Sequence, residues 1–331
     1  MKIALMSNSK VQYDIVYTPK VLDKLSTYGE LSERITKKNI AANKEFLKDC
    51  EIVFSTWGML KLSEEEIKEY LPNLKVLFYS AGTVQYFAKP FLNCGVKVFS
   101  AFAANAVPVA EFTAAQIMLA TKGYFQSAKR YKRLTLLSLK GAHSSPGNFE
   151  SKIGLVGFGA IGRSVAEKLM NSELEVYAYD PFISQEVADK YNVKLESLEY
   201  IFANCDVISN HLANKKELNN IFNADLFKLM KKHTTFINTG RGAQVDEHAL
   251  ARTLLAHPSM TAVIDVLKLE FLPYVNPLYF CPNAIITPHI AGSTGNEPQR
   301  MAHYMMAELE AYLADEPTKY EVTDAMLATM A

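Results

Sequence analysis

Residues 152–180 have the sequence KIGLVGFGAIGRSVAEKLMNSELEVYAYD, and this stretch decides the fold of the chain. An apolar run, Lys152–Val156, leads into Gly157, Gly159 and Gly162, and an amphipathic stretch follows the glycines. This spacing is typical of a strand-to-helix turn that binds a dinucleotide. The first glycine permits a tight turn, the second lets backbone N–H groups approach a pyrophosphate, and the third lets the helix pack closely on the strand.

Asp180 ends the next apolar run, 23 positions after Gly157. A carboxylate at the end of that strand can accept hydrogen bonds from both hydroxyls of an adenine ribose, and it repels a 2′-phosphate. The sequence therefore favours NAD over NADP as the cofactor. The alternative, that Asp180 and Pro181 form a plain turn, is compatible with the nucleotide role.

Short apolar runs alternate with longer amphipathic stretches along the chain, which is typical of parallel sheets with crossover helices. We predict strands at 2–6, 51–55, 75–79, 96–99, 152–156, 175–179, 206–210, 234–238, 260–266 and 284–287. A long helix is predicted from Asn105, as its N-cap, to about Tyr131, with Pro108 in its first turn. The helix Glu297–Leu313 is predicted near the end of the chain, and the pattern alone does not say which domain it joins.

The composition is that of an ordinary globular protein, with 49% apolar and 21% charged residues in 331, enough for about two domains. Basic and acidic residues balance at 35 each, so we expect no basic face for nucleic acid or anionic lipid. Four scattered cysteines without a CxxC pair argue against a disulfide framework or a metal site. The first residues lack the apolar run of a signal peptide or a membrane span. We therefore expect a cytoplasmic protein.

Arg241, Glu270 and His289 each follow a different predicted strand. Ligands of open parallel sheets bind beyond the carboxyl ends of the strands, so these side chains can converge on one cleft. A histidine suits proton transfer to a ketone, a carboxylate can orient the imidazole, and a guanidinium can grip a substrate carboxylate. The predicted substrate is a 2-oxo or 2-hydroxy acid. Each residue also has a simpler interpretation, as a surface arginine, a solvated carboxylate and a structural histidine.

Several segments, in this order, make the chain resemble the D-isomer-specific 2-hydroxyacid dehydrogenase family: Ala104–Thr113, the glycine turn 157–162 with Asp180, Phe236–Glu247, Asp265-Val266 with Glu270, and Thr287–Thr294. The resemblance implies that Arg241 binds the substrate, that Glu270 supports His289, and that His289 is the proton donor or acceptor. It also implies a set of NAD contacts: Gly157, Gly159, Ala160, Ile161, Gly162, Asp180, Leu212, Thr239, Gly240 and Asp265.

The same resemblance implies an α/β architecture of two doubly wound parallel-sheet domains. A Rossmann dinucleotide-binding domain would span 103–296, and a smaller flavodoxin-like substrate domain would span 1–102 and 297–331. The helix beginning at Asn105 is similar to the family's dimerisation element, so we expect a homodimer.

Departures from the family pattern lie mainly in the expected substrate loop, whose members are Ser80, Ala81 and Gly82. In the family the amides of this loop receive the substrate carboxylate, and here Ser80 replaces a glycine. Val84 and Phe87 stand where acidic residues are common, so we expect a drier substrate mouth. Trp57 either lines that mouth or packs in the core.

Two prolines of the family pattern are also missing, because Ala213 and Phe271 stand in their places. His211 is a weaker second histidine candidate near the cofactor. We expect hydride transfer between NAD(H) and C2 of a 2-oxo acid or D-2-hydroxy acid. One alternative is an NADH-sensing binding protein of the corepressor type, with little turnover. Another is a reductase of formate or phosphonate type, whose substrates offer no carbonyl for Arg241 and His289 to share.

Overall fold

The structure is a computed structural model that describes residues 1–131, 145–270 and 275–329. Two compact units are present: Met1–Asn105 with Ser293–Ala331, and Ala106–Gly292. The boundaries expected from the sequence, after 102 and after 296, lie within four residues of these limits. Phe271 lies outside the described residues.

The first unit contains a five-stranded, all-parallel sheet in the order β2-β1-β3-β4-β5, the order of flavodoxin-like folds. Its strands are β1 Lys2–Met6, β2 Glu30–Ile35, β3 Cys50–Ser55, β4 Val76–Tyr79 and β5 Lys97–Ser100. Its helices are Lys10–Val16, Pro19–Ser26, Lys44–Lys48, Glu64–Tyr70, Ala88–Asn93, Pro298–Leu313 and Asp324–Thr329.

Aromatic residues in register hold the centre of this sheet together. Phe54, Phe78 and Phe99 are paired across β3, β4 and β5, and their ring centroids are 5.0 Å apart in both stacked pairs. These central strands are buried, so they read as apolar runs and were predicted. β2 was missed, because Ile35 is the only buried residue of this polar edge strand.

The helix Pro298–Leu313 belongs to the first unit, where Met301, Met305 and Leu309 are buried in its core. The chain after it runs along β5. The carbonyl of Tyr320 accepts a hydrogen bond from the amide of Ser100 at 3.1 Å. The buried carboxylate of Glu308 fixes this segment, because it accepts hydrogen bonds from the amides of Lys319 (2.9 Å) and Tyr320 (3.1 Å).

The second unit contains a seven-stranded, all-parallel sheet in the order β12-β11-β10-β9-β6-β7-β8. Six of these strands follow the Rossmann order, and β12 extends the sheet by one. Its strands are β6 Phe149–Val156, β7 Glu173–Tyr179, β8 Val193–Leu195, β9 Val207–Asn210, β10 Thr235–Asn238, β11 Thr261–Ile264 and β12 Ala284–Ile286. Its helices are Tyr124–Tyr131, Ala160–Leu169, Gln185–Asp189, Leu198–Asn204, Ala224–Leu229 and Glu247–Ala256, with short 3-10 turns at Lys216–Leu218, Gly242–Gln244 and Pro277–Phe280. β8 was missed because its three residues include the exposed Lys194 and so do not form an apolar run.

The predicted long helix is two helices, Phe102–Thr121 and Tyr124–Tyr131, so the predictions of its start and of its N-cap are wrong. The amide of Asn105 donates to the carbonyl of Ala101 at 3.1 Å, which places Asn105 inside the first turn. Pro108 stands in the helix interior, where it has no N–H to donate to the preceding turn. Gly123, with φ of +65°, separates the two helices because its conformation is left-handed.

The helix Phe102–Thr121 is long and apolar enough to cross a membrane by length and composition alone. The core helix of a globular domain passes the same test. Ala110, Thr113 and Ile117 are fully buried, and Ala110 and Ile117 pack in the core of the second unit. Packing within the second unit therefore accounts for part of the apolar character of this segment, because 44% of its apolar window is buried.

Candidate active site

The residues predicted for catalysis and cofactor binding in the second unit follow the carboxyl ends of its strands. Gly157 comes directly after β6, Asp180 after β7, Thr239 after β10 and Asp265 after β11. All strands of this sheet are parallel, so these ends lie at one edge. The topology therefore places these residues at the edge of the sheet where ligands of open parallel sheets bind.

The glycine turn has the shape that the approach of a pyrophosphate requires. Gly157 has φ of +95°, and a β-carbon on it would lie 2.7 Å from the carbonyl of His211. A β-carbon on Gly162 would lie 2.3 Å from the carbonyl oxygen of Gly157, so the helix could not pack this closely with any other residue. Gly159 is exposed and faces open space, with no atom within 4 Å of an added β-carbon. The turn is thus close-packed inward and open outward.

The helix Ala160–Leu169 begins at this turn without a side-chain cap, so the amides of its first turn are available to an anion. Ala160 is exposed and Ile161 is half-buried. The guanidinium of Arg163, which the sequence reasoning did not single out, donates from Nε to the carbonyl of Gly159 at 3.3 Å. It adds a full positive charge at the place where a pyrophosphate would bind. The sequence feature that could have indicated this role is the position of Arg163, one helical turn after Gly159.

Asp180 is held in place by two backbone amides. Its Oδ2 accepts a hydrogen bond from the amide of Phe158 at 2.9 Å, and its Oδ1 accepts one from the amide of Phe182 at 2.9 Å. Each oxygen of a carboxylate can accept a second hydrogen bond, so both remain able to bind ribose hydroxyls. The turn that the sequence suggested is present, because the hydrogen bond from the amide of Phe182 to Oδ1 of Asp180 closes an Asx turn.

A buried amide network, which the sequence reasoning missed, supports the loops after β9 and β10. The Nδ2 atom of Asn210 donates to Oδ1 of Asn238 (2.9 Å) and to Oε1 of Gln244 (2.7 Å). The Nε2 atom of Gln244 donates to the carbonyl of Ala213 at 2.7 Å, and the amide of Leu212 donates to Oδ1 of Asn210 at 3.0 Å. Three fully or nearly fully buried carboxamides therefore fix two loops relative to each other. Asparagines that end adjacent apolar strands were the signal for it.

The segment that carries Arg241 is tied to this network. The Oδ1 atom of Asn238 accepts a hydrogen bond from the amide of Gly240 at 3.1 Å, and its Nδ2 donates to the carbonyl of Arg241 at 3.3 Å. The hydroxyl of Thr239 lies 3.2 Å from the hydroxyl of Thr113, and both residues are buried. The predicted cofactor contacts Thr239, Gly240 and Leu212 thus have hydrogen bonds within the unit.

The guanidinium of Arg241 makes one hydrogen bond within the described part of the chain, from Nη1 to the carbonyl of Gly240 at 2.8 Å. Burial lowers the pKa of Arg241 from its usual value, and the nearby charge of Glu270 partly opposes this effect. The remaining N–H groups have no partner among the described residues. Such a partly desolvated fork can bind a carboxylate in two-point fashion.

His289 stands in a turn that Asp265 holds. The amide of His289 donates to the carbonyl of Asp265 at 3.0 Å, and His289 has φ of +55°, which is rare outside glycine. The carboxylate of Asp265 accepts hydrogen bonds from the hydroxyl of Thr287 (2.6 Å) and from the amides of Ile290 (2.8 Å) and Ala291 (2.9 Å). Asp265 is only 2% exposed, so its carboxylate fixes this turn from inside.

The imidazole of His289 lies next to the carboxylate of Glu270. Its Nδ1 is 3.1 Å from Oε1 and 3.3 Å from Oε2 of that glutamate. A carboxylate at Nδ1 selects the tautomer that carries a proton there and stabilises the imidazolium form. The Nε2 atom has no partner among the described residues, so it is the atom that can exchange a proton with a ligand.

His211 cannot serve in that way. Both of its ring nitrogens are buried without a hydrogen-bond partner, and burial lowers the pKa of the imidazole to about 3. The ring is therefore neutral near pH 7 and shielded from solvent. The sequence-based suggestion of a second functional histidine is not supported as a proton donor.

In the first unit, the expected substrate loop uses much of its hydrogen-bonding capacity internally. The buried hydroxyl of Ser80 accepts a hydrogen bond from the hydroxyl of Tyr17 at 3.0 Å. The amides of Ser80 and Ala81 donate to the carbonyls of Ser55 (2.7 Å) and Tyr79 (2.8 Å). Of the three loop amides, that of Gly82 alone has no hydrogen-bond partner among the described residues.

The expectation of a drier substrate mouth rested on Val84 and Phe87, and the structure corrects it. Val84 is fully buried and Phe87 is 2% exposed, so both belong to the core of the first unit. Trp57 is half-buried and packs against that core. Apolar residues at these positions thus stabilise the unit and do not change the polarity of a surface.

Comparison with known proteins gives the family. Residues 114–291, more than half of the chain, match the model of the D-isomer specific 2-hydroxyacid dehydrogenase NAD binding domain. Glyoxylate reductase of Thermofilum pendens is 30% identical over 266 residues, which are 76% of each chain. D-3-phosphoglycerate dehydrogenase of Archaeoglobus fulgidus is 31% identical over 221 residues, which are 65% of this chain and only 40% of that longer relative.

Solved structures show the same fold at low identity. A phosphoglycerate oxidoreductase from Rhizobium etli has a TM-score of 0.81 at 20% identity over 98% of this chain and 99% of that one. A D-isomer specific 2-hydroxyacid dehydrogenase from Lactobacillus delbrueckii ssp. bulgaricus, in its NAD complexed form, has a TM-score of 0.77 at 20% identity over 98% and 100%. The predictions of two doubly wound parallel-sheet domains, of NAD as cofactor and of an oxidoreductase family are confirmed. The chain belongs to the D-isomer specific 2-hydroxyacid dehydrogenase family.

Proposed function

We propose that this protein reduces a 2-oxo acid to a D-2-hydroxy acid and catalyses the reverse oxidation. The observation that carries the proposal is the contact of 3.1 Å between Nδ1 of His289 and the carboxylate of Glu270, in the same unit as the exposed glycine turn. Family membership supports the same reaction class. An isolated histidine would suit many roles, whereas a carboxylate-supported histidine beside a dinucleotide site suits proton transfer to an alkoxide.

The residues of the second unit fit NAD. Gly157, Gly159 and Gly162 would take the pyrophosphate with the first turn of the following helix, and Asp180 would take the adenine ribose. Ala160, Ile161, Leu212, Thr239, Gly240 and Asp265 are the other proposed cofactor positions, as the family resemblance implies. Bound NADH would supply a hydride, a proton with two electrons, to C2 of the substrate and would thereby become NAD⁺.

The side chains would complete the reaction as follows. The hydride forms a new bond to C2, and the electron pair of the carbonyl π bond moves to the oxygen. Nε2 of His289 gives that oxygen a proton, and Glu270 stabilises the imidazolium before the transfer. The free N–H groups of Arg241 hold the substrate carboxylate and polarise the carbonyl. In the oxidation every transfer runs in reverse, and His289 accepts the proton.

The experiment is a survey of NADH consumption with a panel of 2-oxo acids, with NADH binding measured separately by fluorescence titration. His289→Asn and Arg241→Met should lower kcat/KM by about three orders of magnitude, because each removes a charge that acts in the transition state. Both variants should bind NADH within twofold of wild type. His248→Asn, a histidine in the helix Glu247–Ala256, is the control and should retain full turnover. Loss of NADH affinity in the first two, with unchanged turnover per bound cofactor, would contradict these roles.

The substrate's own identity depends on the first unit, where Trp57, Ser80, Ala81 and Gly82 stay predicted contacts. We also propose a cytoplasmic location and a homodimer that uses the helix Phe102–Thr121. Light scattering coupled to size-exclusion chromatography tests the dimer. A mass of one chain, 37.0 kDa, would contradict it.

A further inference from the structure

An exposed aromatic ring stands next to the carboxylate proposed for the adenine ribose. Phe182 is 86% exposed, and its amide donates to Oδ1 of Asp180 at 2.9 Å, so the backbone that carries this ring is fixed beside Asp180. An apolar ring this exposed has no packing role of its own. A flat face at this position is suited to stacking on an adenine.

A lysine from another loop covers this ring. The Nζ atom of Lys215 lies 5.7 Å from the centroid of the Phe182 ring, within the range of a cation–π contact. Lys215 is half-buried and has no ion pair with a carboxylate in the described part of the chain. Its loop follows β9, and that of Phe182 follows β7, the two neighbours of β6 in the sheet. The two side chains therefore meet at the edge where β6 ends in the glycine turn.

The charges at this edge differ from those of a site with a carboxylate alone. A lone Asp180 would exclude a 2′-phosphate by repulsion. Here the ammonium of Lys215, which pairs with no carboxylate among the described residues, lies within cation–π distance of the Phe182 ring next to Asp180. Its positive charge offsets the repulsion. An ammonium can also follow the phosphate, because its four-carbon stem is flexible.

We propose that this edge is an adenosine site that accepts a 2′-phosphate: Phe182 stacks on the adenine and Lys215 pairs with the phosphate. The inference rests on the cofactor site proposed above and extends it from NADH to NADPH. NADPH binds within about tenfold of NADH, since an exposed ion pair contributes about 1 kcal/mol, which corresponds to about fivefold in affinity. Phe182 contributes equally to both cofactors, because they share the adenine.

Direct binding separates these roles without using turnover. Fluorescence titration with NADH and NADPH, and calorimetry with 2′,5′-adenosine bisphosphate and 5′-AMP, are carried out on the full chain. Lys215→Met should weaken NADPH and the bisphosphate by about fivefold and leave NADH and 5′-AMP within twofold. Phe182→Ala should weaken all four by a similar factor, about tenfold. The matched control is Lys216→Met, the adjacent exposed lysine, which should change none of them by more than twofold.

Salt provides a second measurement. The contribution of Lys215 is between exposed charges, so 0.5 M potassium chloride should remove most of the difference between wild type and Lys215→Met for NADPH. If NADH binds and NADPH does not at a hundredfold higher concentration, the inference is wrong and the proposed function stands. The same holds if Lys215→Met and Lys216→Met have equal effects. If NADH itself does not bind, the proposed function and the inference fail together.

Discussion

Asp265 is the residue for which the structure and the family resemblance suggest different roles, so Asp265→Asn is the most informative substitution. The carboxylate accepts three hydrogen bonds, from the hydroxyl of Thr287 and from the amides of Ile290 and Ala291. A carboxamide can keep the two bonds to Oδ1, and it then places an NH₂ group against the amide of Ala291. One charge-assisted bond is lost and two become neutral, so we expect a loss of about 3 kcal/mol in the free energy of unfolding.

The substitution should also release the turn that carries His289. Its φ of +55° is unfavourable for a histidine by about 1 kcal/mol, and the bonds to Asp265 offset this cost. Once these bonds weaken, the turn should relax and move the imidazole relative to the substrate. A displacement of about 1 Å is sufficient to lower kcat by roughly 10- to 100-fold. NADH affinity should stay within twofold, because the glycine turn and Asp180 follow other strands.

The assays are urea denaturation, steady-state turnover and NADH titration on the same preparation. Asp225→Asn is the matched control. The side chain of Asp225 is 88% exposed, and its one ion pair in the described part of the chain is with Lys228 one turn away, so the unfolding midpoint and turnover should not change measurably. If Asp265→Asn leaves the free energy of unfolding within about 0.5 kcal/mol of wild type, Asp265 does not hold this turn. A tenfold loss of NADH affinity with unchanged turnover per bound cofactor would show that Asp265 acts on the cofactor and does not position His289.

Three further outcomes follow from buried groups and from the glycine turn. Burial holds the pKa of His211 at about 3, below its value of roughly 6.5 in an unfolded chain. Between pH 7 and pH 5 only the unfolded chain therefore takes up this proton. Over this range the unfolding free energy of wild type should fall by about 2 kcal/mol more than that of His211→Phe. Equal pH slopes by urea denaturation would contradict this. Gly159→Ala should fold normally and bind NADH at least tenfold more weakly by fluorescence titration. Gly162→Ala should unfold at a lower urea concentration, because its methyl group meets the carbonyl of Gly157. A destabilised Gly159→Ala and a Gly162→Ala of normal stability with weakened NADH binding would exclude this account of the turn. Glu308→Ala leaves two partly buried amides without their acceptor and should lower the unfolding free energy by about 1 kcal/mol and speed proteolysis after residue 313. An unchanged cleavage rate would speak against this role of Glu308.

The sequence predicted those parts of the fold in which burial or a tight turn requires a distinctive pattern of residues. Central parallel strands are covered on both faces, so β3, β4, β9 and β10 read as apolar runs, and the glycine turn has a spacing that few other structures need. Of the edge strands, Glu30–Ile35 carries mostly polar residues and Val193–Leu195 has a lysine at its centre, so neither forms a comparable run. The helix start at Phe102 was missed because Asn105 and Pro108 form a good local start signal that tertiary packing overrides.

For the candidate site, the sequence predicted the positions of the residues but not the directions of their side chains. A position after a parallel strand tells at which edge of the sheet a residue lies, and this was enough to bring Arg241, Glu270 and His289 together in expectation. It does not tell whether a side chain points towards a ligand or back into the unit. Asp265 lies at the same edge and points inward, where three donors surround it.

The choice between the two directions is a matter of desolvation energy, which depends on partners that are distant in the chain. A carboxylate that is 2% exposed is stable only if enough donors replace water, and here these donors are the amides and the hydroxyl of a turn more than twenty residues later. The carboxamides of Asn210, Asn238 and Gln244 satisfy one another in the same way. Buried polar residues at strand ends therefore form the layer that fixes the loops. The side chains of Arg241 and His289 can be positioned precisely only because the hydrogen bonds of that inner layer are satisfied.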